Sequence, residues 1–109
     1  MKLKEIVDKF AGLKVYEQRQ QQDDYAELVF FNKDLDAWTR ILTQDLGSAA
    51  KLPGAQPSEN DLILTEPYGG ILENQILFKK KFPQGLILAM FWPWSDNEHT
   101  TLKIAQLKK

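Results

Sequence analysis

Residues 71–107 hold strand-length apolar runs separated by two short polar breaks, and no other part of the chain restricts the fold as much. The runs 71–82, 86–94 and 99–107 read as a meander of antiparallel strands. Pro83-Gln84-Gly85 fits a three-residue hairpin loop, in which proline sets φ at the first turn position and glycine takes a left-handed one. That loop places Phe82 opposite Leu86, Phe78 opposite Met90 and Ile76 opposite Trp92. Ile76, Phe78, Phe82, Leu86, Leu88, Met90 and Trp92 then share one face, since side chains alternate along a strand. A second turn around Asp96-Asn97-Glu98 adds Leu102 and Ile104 to them. The other face carries Leu77, Ile87, Ala89, Phe91 and Ala105, interspersed with Lys79, Lys81 and Lys103.

Upstream, Leu3, Ile6, Val7 and Phe10 recur at helical spacing, and Gly12 ends that short helix. Residues 13–21 and 25–32 read as two strands about a polar turn at Asp23-Asp24. The glutamine-rich stretch at 18–22 has little strand character, whereas Tyr25–Phe31 is apolar on both parities and reads as central. Asp34 suits a helix N-cap and Asp36 the positive end of the helix dipole. Leu35, Trp38, Ile41 and Leu42 share one face of that helix, Leu46 follows, and Gly47 stops it. Residues 48–60, with Pro53, Gly54 and Pro57, read as a long loop. Residues 61–65 read as a short strand and Pro67-Tyr68-Gly69-Gly70 as a turn.

The 109 residues are thus expected to form a single α+β domain, 1–109. Its order is α-β-β-α-loop-β-β-β-β, with an antiparallel sheet of about five or six strands and two helices packed on one face. Two helices cover one face of such a sheet, so the mixed apolar and basic face is expected to lack cover within the chain.

Cysteine is absent, which excludes disulfides, thiol nucleophiles and cysteine-held metals, and tilts the expected location toward the cytoplasm. The N-terminal residues lack a signal-peptide pattern, and no apolar run is long enough to span a membrane. The net charge of −1 divides into −5 over residues 1–78 and +4 over 79–109.

Trp92 and Trp94 share a strand face beside a turn. With Tyr68 and His99 they are a candidate aromatic wall for a small ligand, set against the plainer reading of core packing. His99 is the sole histidine, which argues against a histidine-held metal; no metal ligand and no cofactor is assigned. No phosphate loop, nucleophile elbow or dinucleotide fingerprint is present, and no nucleophile, base and orienting group assemble, so no catalytic residue is named. Lys79-Lys80-Lys81 with Phe91 and Lys103 offers cations near one aromatic. Strand lysines also keep sheet edges from pairing, and single-stranded nucleic acid ranks low as a partner.

The reading that ranks first is a non-catalytic interaction or regulatory module. It would form a homodimer or dock a protein partner through the face of Leu77, Lys79, Ile87, Ala89, Phe91 and Lys103. The alternative is a small-ligand binder using Trp92, Trp94, Tyr68 and His99. An enzyme ranks below both.

Overall fold

A five-stranded antiparallel sheet in the order β1-β2-β5-β4-β3 lies at the centre of the computed structural model, which describes residues 2–107. The strands are β1 (Glu17–Gln21), β2 (Tyr25–Phe31), β3 (Ile76–Phe82), β4 (Gly85–Pro93) and β5 (His99–Leu107). The helices are α1 (Leu3–Asp8), continued by a 3-10 turn to Gly12, then α2 (Leu35–Leu46) and α3 (Glu59–Thr65). The hairpin β1-β2 and the meander β3-β4-β5 come from distant parts of the chain. They join where β2 pairs with β5, from Tyr25 opposite Ala105 to Phe31 opposite His99. This is the α+β architecture expected from the sequence.

α1 and α2 cover one face. Their apolar stripes bury Leu3, Ile6, Phe10, Trp38, Leu42 and Leu46 against Ala26, Leu28, Phe30, Phe78, Ile87, Ala89, Phe91, Leu102 and Ile104. At the centre, the Trp38 ring lies between Phe10 and Phe30, with centroids 4.4 Å from each. Lys9 Nζ bonds both carboxylate oxygens of buried Asp45, at 2.6 and 2.8 Å, and ties the end of α1 to α2. Asp34 occupies the N-cap position of α2 but its side chain makes no capping bond; Gly47 closes the helix at φ +81°.

Three expectations need correction. Residues 61–65 form no strand but most of α3, because Ser58 Oγ accepts from Asp61 N at 3.1 Å and caps a helix there. The meander begins at Ile76 and the first hairpin at Glu17, later than the sequence suggested. The β3-β4 register is also shifted by one: Phe82 pairs with Gly85, Leu77 with Met90, Phe78 with Ala89 and Ile76 with Phe91. Gly85 does take a positive φ, +139°, but as the first residue of β4. β4 is apolar on both parities because it is buried on both faces, so its sequence holds no parity signal to fix the pairing.

The shift redistributes the faces. Ile87, Ala89 and Phe91 lie beneath α1 and α2 with Phe78, and form no uncovered patch. Leu77, Lys79 and Lys103 lie on the opposite face with Leu88, Met90 and Trp92. That face is covered in part by α3 and the segment after it: Leu64, Tyr68 and Ile71 pack on Leu77, Leu88, Met90 and Ala105.

The long connection from α2 to α3 is pinned. Lys51 is 4% exposed, and its ammonium donates to the carbonyls of Leu52, Glu73 and Gln75 at 3.1, 2.8 and 2.6 Å. Its main chain bridges to Leu77 on the outer side of β3. No helix among the described residues is long and apolar enough to cross a membrane.

Candidate functional site

The face opposite α1 and α2 is divided. α3 covers its β3-β4 half, and the half over β2, β5 and the end of β4 carries aromatic and charged side chains. Alternation sends Tyr25, Glu27, Val29 and Phe31 of β2 there, with Thr101 and Lys103 of β5 and Trp92 of β4; Trp94 follows the end of β4 and donates to Thr101.

Lys103 occupies the middle of this surface. Its ammonium lies 3.4 Å from the centroid of the Trp92 ring and donates to Tyr68 O at 2.9 Å. Burial lowers its pKa, and the charge of Arg19 acts in the same direction against the opposing carboxylate of Glu27. The close fit requires Gly69. A Cβ at that position would meet Trp92 Cη2 at 2.5 Å, and the residue sits at φ +102°. Beside Lys103, Tyr25 stacks on Tyr68 with centroids 5.5 Å apart and donates its hydroxyl to Glu27 Oε1 at 2.5 Å. Desolvation and the Glu27 carboxylate raise the Tyr25 pKa, and desolvation with the charge of Asp24 raises that of Tyr68. These groups line an open groove of about 500 Å³, floored by Tyr25, Glu27 and Lys103 and walled by Gln20 and Gln22 on one side and Pro67-Tyr68-Gly69 on the other.

Of the four ligand-wall residues expected from the sequence, Trp92 and Tyr68 meet at Lys103, and Tyr68 alone of the four lines the groove. Trp94 and His99 lie together at the far end, 5.0 Å apart, with Tyr16 and Phe31 packed around His99. Trp94 is half-buried there: Arg19 lies over its ring, and its Nε1 donates to Thr101 Oγ1 at 2.8 Å. His99 finds its carboxylate partner in Asp96, with Nδ1 and Oδ2 2.5 Å apart. Asp96 Oδ1 accepts from the N–H groups of Glu98 and His99, which hold its pKa below the usual carboxylate value together with the His99 ring. The donor atoms of Asp96, Glu98 and His99 lie within 4.8 Å of one another, but both Asp96 oxygens are engaged in forming the turn.

The sequence reading missed Tyr25 and Glu27, whose nearness to Tyr68 depends on the β2-β5 pairing. It also missed the outer face of α3. That helix buries Asp61 and Thr65, at 5% and 0% exposure, and leaves Leu62 and Ile63 at 47% and 63%. Asp61 faces inward because Lys79 of β3 meets it at 2.7 Å. Leu52 and Leu72, each 61% exposed, lie on the two segments that Lys51 joins. A signal for α3 was present: Ser58-x-x-Asp61 is a capping pattern, and a helical reading of Asp61–Thr65 puts the leucine–isoleucine pair away from Asp61.

Comparison with known proteins finds no family model, no curated protein and no solved structure that matches this chain.

Proposed function

We propose that the protein is a non-catalytic interaction module that self-associates through the outer face of α3. The observation that carries this reading is the exposed aliphatic pair on that helix, Leu62 and Ile63. A surface helix normally turns its apolar side to the core, and exposed aliphatic side chains grouped on one element mark a contact surface. α3 turns Leu64 inward with Asp61 and Thr65, but leaves Leu62 and Ile63 outward.

A second copy suits this surface on charge. Glu59 and Glu66 flank the apolar pair, and Lys81 lies exposed on β3, on the same face as Lys79, the strand residue that holds α3. Across a two-fold axis the acids of one copy would face Lys81 of the other, and a self-complementary patch closes at two copies. The expected interface therefore moves from the mixed face read in the sequence to the helix laid over part of it. Light scattering at micromolar concentration tests the proposal. The expected result is a dimer for the natural chain and a folded monomer for Ile63→Asp; a monomeric natural chain overturns it.

A second reading, small-ligand binding, is favoured by the groove at Lys103, where an ammonium held by an aromatic face adjoins a carboxylate and a tyrosine pair. A thermal-shift screen of small polar compounds tests it, with Lys103→Met as the control that must lose any response.

A further inference from the structure

The sheet has two edges, and they are treated differently. At β3, Leu77 N donates to Lys51 O at 3.1 Å and Leu77 O accepts from Ala50 N at 2.8 Å, so part of that edge is already paired; three lysines follow. At β1 all five residues are exposed. The hairpin bond from Gln22 N to Tyr25 O, 2.7 Å, directs the Gln22 main chain toward β2. Alternation in an antiparallel ladder then turns the N–H and C=O of Gln21 outward.

α1 runs beside β1 on the helix-covered face without closing against it. Two adjoining cavities of about 190 and 110 Å³ lie along the seam. Val7, Phe10, Val15 and Leu28 line the larger with Asp8 at its side, and Leu3 and Val7 line the smaller with Lys4 and Asp23; Val7 and Gln21 border both. The register shift between Gln18 and Gln20 brings Gln18 and Gln21 onto the same face, opposite Leu28 and Ala26. There Gln18 Nε2 donates to Gln21 Oε1 along the seam.

We propose that β1 accepts an extended peptide from a partner protein as a sixth strand, with an aliphatic side chain of that peptide seated in the larger cavity between β1 and α1. Main-chain bonds to β1 supply the orientation, and side chains on one face of the added strand supply the choice of sequence. The larger cavity is walled by the carbons of Val7, Phe10, Ala11, Val15 and Leu28, with Asp8 and the glutamine amides as its polar groups, which suits one branched aliphatic side chain; the smaller, with Lys4 and Asp23 beside Leu3 and Val7, suits a polar one. This goes beyond self-association and rests on different elements, since α3 and β1 lie toward opposite edges of the sheet.

The test uses a fluorescein-labelled peptide of alternating threonine and leucine, flanked by lysines for solubility, titrated into the full chain. Binding is expected to be saturable, with amide shifts at Val7, Gln18 and Gln21. The same peptide N-methylated at alternate residues keeps its side chains but loses its strand bonds, and should bind at least roughly tenfold more weakly, about 1.4 kcal/mol. Gln21→Pro removes an outward donor while sparing the bonds to β2, and should weaken binding equally. Ile63→Asp should bind the peptide as the natural chain does. The proposal is overturned by no binding up to about 1 mM, by equal affinity for the N-methylated peptide, or by shifts that map elsewhere. The N-methylated arm decides the matter if Gln21→Pro does not fold.

Discussion

Asp61 of α3 and Lys79 of β3 meet at 2.7 Å, and this contact holds a buried carboxylate of that helix against the sheet. Asp61 is almost wholly buried and Lys79 only partly. Removing the lysine strands a buried carboxylate, so Lys79→Met should cost about 2 kcal/mol. The double variant Asp61→Leu/Lys79→Met removes both charges and should recover a large part of that loss. Urea unfolding of the four proteins in a double-mutant cycle checks both statements.

Trp38 is fully buried between two rings, so Trp38→Ala should cost about 4 kcal/mol, from lost transfer energy and the cavity left behind. That is a large share of the stability of a domain this size. Trp38 Nε1 has no hydrogen-bond partner among the described residues. Trp38→Phe therefore loses area but no polar contact, and should cost about 1–2 kcal/mol in the same unfolding assay.

Gly69 and Gly70 separate two causes of glycine preference. Both have φ in the left-handed region, but a Cβ at Gly70 meets nothing within 4 Å, whereas one at Gly69 strikes Trp92 and approaches Lys103 Nζ at 3.2 Å. Gly70→Ala should cost about 1 kcal/mol from backbone strain alone. Gly69→Ala should cost at least about 1 kcal/mol more and shift tryptophan emission as Trp92 moves. Equal losses for the two would show that the Trp92 contact carries no energy.

Asp96 gives the acid limb a sign. Its pKa is lower in the folded chain than the ordinary 3.8, because two N–H groups and the His99 ring favour the carboxylate. Below the ordinary value the unfolded chain takes up a proton that the folded chain refuses, so stability falls as pH drops toward the folded pKa. Asp96→Asn keeps an acceptor for the turn but cannot titrate, and should flatten this part of the acid-unfolding curve.

Much of the architecture was legible in the sequence where one pattern was clear. α2 carries an apolar stripe with glycine at its end, and Trp38 is buried and Arg40 exposed, as the stripe requires. β2 and β5 were placed within a residue or two. What failed depended on facts absent from local pattern. β4 is apolar on both sides, so only tertiary packing chooses between Phe82–Leu86 and Phe82–Gly85 pairing. α3 is three apolar residues between polar ones, a length at which strand and helix look alike, and Lys79 settles which way it turns. The cluster at Lys103 was half legible for the same reason. Trp92 and Tyr68 were named, but Lys103 was assigned to a surface with Phe91, from which the true register separates it.

The bridge from Lys51 to Leu77 also limits how this sheet can propagate. A cross-β fibril grows by adding chains at both ends of a strand ladder, so each molecule must offer two reactive edges. Here one edge is partly occupied by the chain's own connection, and its remainder bears Lys79, Lys80 and Lys81, whose charges oppose stacking of like strands. A strand added at the open β1 edge would therefore leave no second open edge from which a ladder could extend.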